Sequence, residues 1–65
     1  MPNKPFYVRV RGASTEALVY ARDRTAAIEL FSAKVHVGPI YITGAKATKA
    51  LIARAGVMMV LRAAE

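Results

Sequence analysis

The chain has 65 residues, 55% of them hydrophobic and 22% charged, with ten Lys and Arg against four Asp and Glu for a net charge of +6. That length permits one small core and excludes a deep catalytic cleft, while the apolar content separates the chain from disordered sequences. Cysteine is absent, which excludes disulfides, thiolate metal sites and a cysteine nucleophile; the positive excess favours polyanionic partners.

Met1-Pro2-Asn3-Lys4-Pro5 leads into an alternating segment and lacks the apolar run of a signal peptide. No stretch approaches the about 20 apolar residues of a membrane span. A single domain over residues 1–65, cytoplasmic and without membrane association, is the expectation.

In Phe6-Tyr7-Val8-Arg9-Val10-Arg11, strict alternation sends Phe6, Val8 and Val10 to one side of a strand and Tyr7, Arg9 and Arg11 to the other. A second strand over 17–22 follows the short polar connection Gly12-Ala13-Ser14-Thr15-Glu16, which signals an antiparallel hairpin. The period then changes to that of a helix running to about Lys34, with Asp23 placed as N-cap and Ala27, Ile28, Phe31 and Val35 as the apolar stripe. Gly38-Pro39 ends that region, and a third strand is predicted over 40–43. A second helix over 46–55 is rich in strong helix formers and has Gly56 where a left-handed cap belongs. Val57-Met58-Met59-Val60-Leu61 lacks polar alternation and reads as a strand covered on both faces or as an edge that pairs with another copy.

The fold expected is α+β, a small mixed sheet in the order ββαβαβ with two helices packed on one face. Its predicted core is Phe6, Val8, Val10, Val19, Ala21, Ile28, Phe31, Ile40, Ile42, Leu51 and Ile52. The other sheet face, left uncovered, would carry Tyr7, Arg9, Arg11, Tyr20, Arg22 and Tyr41. Aromatic rings interleaved with guanidinium groups suit stacking on bases and contact with phosphates, and Lys46 and Lys49, with Arg54 farther along, would add positive charge beside a nucleic-acid backbone. The same residue types also serve as ordinary exposed strand residues in cross-strand pairs.

No residue pattern points to catalysis. Thr43-Gly44-Ala45-Lys46-Ala47-Thr48 lacks the spacing of a phosphate-binding loop. His36 is the lone histidine, flanked by valines, so no metal site and no general base is expected. The function expected is therefore that of a non-enzymatic basic accessory or regulatory protein, without cofactor, that binds DNA or RNA, single-stranded included. The alternative is a phage- or mobile-element-type protein that binds and modulates a host protein. The apolar segment 57–61 further predicts a homodimer.

Overall fold

The computed structural model of the protein describes residues 3–54, 56 and 58–63. Strands β1 (Lys4–Val10) and β2 (Glu16–Ala21) form a hairpin, helix α1 (Arg24–Val35) follows, and a 3-10 turn at Pro39–Tyr41 leads into β3 (Ile42–Lys46). Helix α2 (Lys49–Ala53) and strand β4 (Met59–Arg62) complete the order ββαβαβ. The sheet is mixed, as the sequence predicts. Its strand order is β3-β1-β2-β4, with β1 antiparallel to both neighbours and β4 parallel to β2.

Alternation and register together build one apolar face. Phe6 stands opposite Val19, Val8 opposite Ala17 and Gly44, and Val10 opposite Ile42. α1 closes over this face and buries Ala27 and Phe31 in it completely. Burial on this scale is worth roughly 1.5–3 kcal/mol for each large side chain. The helix begins because Asp23 has an extended backbone and its carboxylate accepts from the Ala26 N–H at 2.8 Å. It ends at His36, which takes the left-handed conformation at φ 57° while its N–H donates to the Ser32 carbonyl. Gly44 lets α1 approach β3, since a Cβ there would meet the Ile28 side chain at 3.2 Å. In the hairpin loop, Gly12 supplies the positive φ of 71° that the reversal needs.

The two parallel crossovers run in opposite directions. From β2 to β3 the chain passes β1 by way of α1, and from β3 to β4 it returns past both β1 and β2 by way of α2. A common right-handed sense then requires opposite faces of the sheet, so α2 crosses the face that the sequence reading leaves bare rather than joining α1. Two observations agree with that placement. Leu18, pointing away from α1, is only 1% exposed, and Arg54, just past α2, lies near enough to act on the Tyr7 phenol.

Several expected core positions are revised. Ile40 is 74% exposed because it sits in the 3-10 turn, whose first residue is Pro39, rather than in a strand. Ile52 is exposed and Leu51 half-buried on the short α2. Val10 and Ile28 pack at the margin, whereas Ala17, Leu18 and Ala27 are fully enclosed. α2 is capped by Arg54, two residues before the predicted cap at Gly56, and Val57, the first residue of the predicted final strand, lies outside the described residues.

Candidate nucleic-acid interface

Across the second face, cross-strand register places Tyr7 beside Leu18 and Ala45, Arg9 beside Glu16 and Thr43, and Tyr20 beside Pro5 and Arg62. Tyr7 and Tyr20 do share this face, as alternation predicts. Both are half-buried and engaged within the chain. The Tyr7 hydroxyl donates to Glu16 Oε1 at 2.7 Å, and that hydrogen bond, with burial added, raises the phenol above its ordinary pKa against the opposing pull of Arg9 and Arg54. The Arg62 guanidinium lies 4.3 Å from the centre of the Tyr20 ring, a cation-π contact.

Tyr41 belongs to the 3-10 turn and is 60% exposed. Its carbonyl accepts from the Arg11 N–H at 2.8 Å, which ties the turn to the end of β1. One residue into β3, the Thr43 hydroxyl donates to the Arg9 carbonyl at 3.4 Å. These main-chain ties bring Arg9, Arg11 and Tyr41 together at the hairpin end of the sheet, with both arginines exposed.

The remaining candidates fall elsewhere. Arg22 follows β2 at the opposite end of the sheet, where it pairs with Asp23 at 3.8 Å between largely exposed side chains, an interaction of little energetic weight. Lys46 is opposite Phe6, so its alternation phase is that of the α1 face. Lys49 is exposed at the start of α2. Arg54, farther along from Lys46 and Lys49, comes near the Tyr7 phenol, and Arg62 is the addition the structure makes to the set. Arg62 was legible in principle, because placing Leu61 in the core sends the next residue to the face of Tyr20.

Arg22–Asp23 is the one ion pair among the described residues, so the guanidinium groups of Arg9 and Arg11 are free of carboxylate partners there. Among those residues no three His, Cys, Asp or Glu side chains gather as a metal site, and no helix is long and apolar enough to cross a membrane. Comparison with protein-family models, curated proteins and solved structures finds no match to this chain.

Proposed function

We propose that this is a small, non-enzymatic accessory or regulatory protein of the cytoplasm that binds single-stranded nucleic acid, with its contact surface at the hairpin end of the sheet. The observation that carries the reading is the gathering of exposed Arg9, Arg11 and Tyr41, held by the Arg11 to Tyr41 main-chain hydrogen bond. Tyr41 offers a ring for a base to stack upon, worth roughly 1–3 kcal/mol, while the two guanidinium groups take adjacent phosphates. Arg54 and Arg62 extend positive charge along the second face toward the other end of the sheet. Tyr7 and Tyr20 shape that face and leave the stacking to Tyr41.

Fluorescence anisotropy with labelled single-stranded DNA and RNA tests this reading. Affinity should fall steeply with salt, and Arg11→Ala should lower the slope of log affinity against log salt by about 0.7, the value for one phosphate on a single strand. Tyr41→Ala should weaken binding by roughly 5- to 150-fold and leave that slope unchanged. Absence of salt-sensitive binding to either strand type at low ionic strength overturns the proposal.

One observation favours the second reading, in which a host protein is the partner. Ile40 and Tyr41 present neighbouring apolar side chains, 74% and 60% exposed, from one turn. Ile40→Ser separates the two readings: it removes an apolar protein anchor without adding charge, so it should weaken a protein contact and leave nucleic-acid binding by the arginines and the Tyr41 ring unchanged.

A further inference from the structure

The sheet has two edges, and their side chains treat an incoming strand differently. β3 has Gly44 in its middle, followed by exposed Ala45 and Lys46, all poor partners for a further strand. β4 presents Met59 at 38% and Val60 at 43% exposure, followed by half-buried Leu61. The first charge on β4 is Arg62, and its guanidinium is turned back over Tyr20 of its own chain. Among the described residues β4 pairs only with β2.

The hydrogen bonds fix which backbone groups of β4 are unclaimed. The Ala63 N–H donates to the Tyr20 carbonyl at 2.8 Å, so in a parallel ladder Met59, Leu61 and Ala63 direct their main-chain groups to β2. Val60 and Arg62 therefore direct theirs outward. From this geometry we infer that the protein forms a two-fold symmetric homodimer by antiparallel pairing of β4 with β4 of a second copy, centred on Val60. The occupant is a second copy because the strand complements itself. Centring on Val60 sets Val60 against Val60, Met59 against Leu61, and Met58 against Arg62, so apolar meets apolar and no arginine faces another. The exposed parts of Met59 and Val60 become covered, and the outward donors and acceptors of Val60 are satisfied.

The result is a continuous sheet of strand order β3-β1-β2-β4-β4-β2-β1-β3. The axis is perpendicular to the sheet, so both α1 helices lie on one side and both Tyr20–Arg62 pairs on the other. This pairing does not depend on the proposed nucleic-acid contact. A single strand-to-strand seam belongs among the smaller interfaces, below about 1,200 Å², so the dimer dissociates on dilution into the micromolar range.

Sedimentation equilibrium on the full chain should show a mass rising with concentration toward twice 7.0 kDa. Val60→Lys places two ammonium groups across the axis and should weaken association at least about tenfold, with an unchanged circular dichroism spectrum. A cross-link gives an independent reading that does not rely on the lysine variant folding. The chain has no cysteine of its own, so Val60→Cys should join two copies rapidly with a short thiol-reactive linker, while Thr43→Cys on the β3 edge should not. A mass that stays monomeric to millimolar concentration overturns the inference. So does a dimer that Val60→Lys leaves intact, or cross-linking that favours Thr43→Cys.

Discussion

Leu18 points away from α1 and still has almost none of its surface in water, so the face it occupies must be covered by other parts of the chain. Leu18→Ala should therefore cost about 2–5 kcal/mol, the range for an enclosed leucine. Urea denaturation measures it, and a loss below about 1 kcal/mol would mean that the second face is open. The signal was present in the sequence, where Ala17-Leu18-Val19 interrupts the alternation with three consecutive apolar residues, the mark of a strand covered on both sides. Burial of Ala17 was harder to read, because a methyl group contributes so little area that pattern alone barely weights it. Tyr7 carries a second prediction at this scale. Its folded-state pKa is raised above the unfolded value of about 10 by the bond to Glu16, so the neutral phenol is the form the fold favours. The stability it contributes is complete below the unfolded value and is lost as pH climbs through the folded one. Alkaline titration of phenolate absorbance should show a late component that disappears in Tyr7→Phe; a late component that persists in the variant would contradict the assignment.

Elements whose pattern and pairing agree were legible. β1, β2 and α1 lie within two residues of their predicted limits, because alternation and the Asp23 cap specify the same structure as the tertiary contacts. The third strand was predicted too early. Pro39 starts a 3-10 turn, and pairing with β1 carries the strand on to Lys46, with the Ala47 N–H still donating to the Pro5 carbonyl. That pairing in turn delays α2 until Thr48 caps it, through the Leu51 N–H at 3.2 Å. Helix propensity at Lys46 and Ala47 lost to a ladder bond that sequence cannot display. The elements also differ in how firmly they are held. Among the described residues, all nine buried hydrophobic side chains, from Phe6 to Ile42, precede α2, and α2 and β4 contribute none. Native-state hydrogen exchange should accordingly show the amides of α2 and β4 opening at a lower free energy than those of β1, β2 and α1. Uniform protection across the chain would refute this division.

At the scale of the molecule, the basic excess is spread over both faces and both ends, with the exposed arginines of the candidate interface at the hairpin end. The placement of that interface was only partly legible. Alternation set the facing of Tyr7, Arg9 and Tyr20, but it could not show that α2 crosses the same face or that Tyr41 projects from a turn. The central position of β1 has a consequence for synthesis. It is made before either of its neighbours, pairs with β2 as soon as the hairpin closes, and then waits for β3, which follows a whole helix later. During that interval one side of a strand containing Phe6, Val8 and Val10 is an open template for other nascent chains. Lys4, Arg9 and Arg11 punctuate that template with positive charge, so each unfinished chain repels its neighbours until its own third strand arrives.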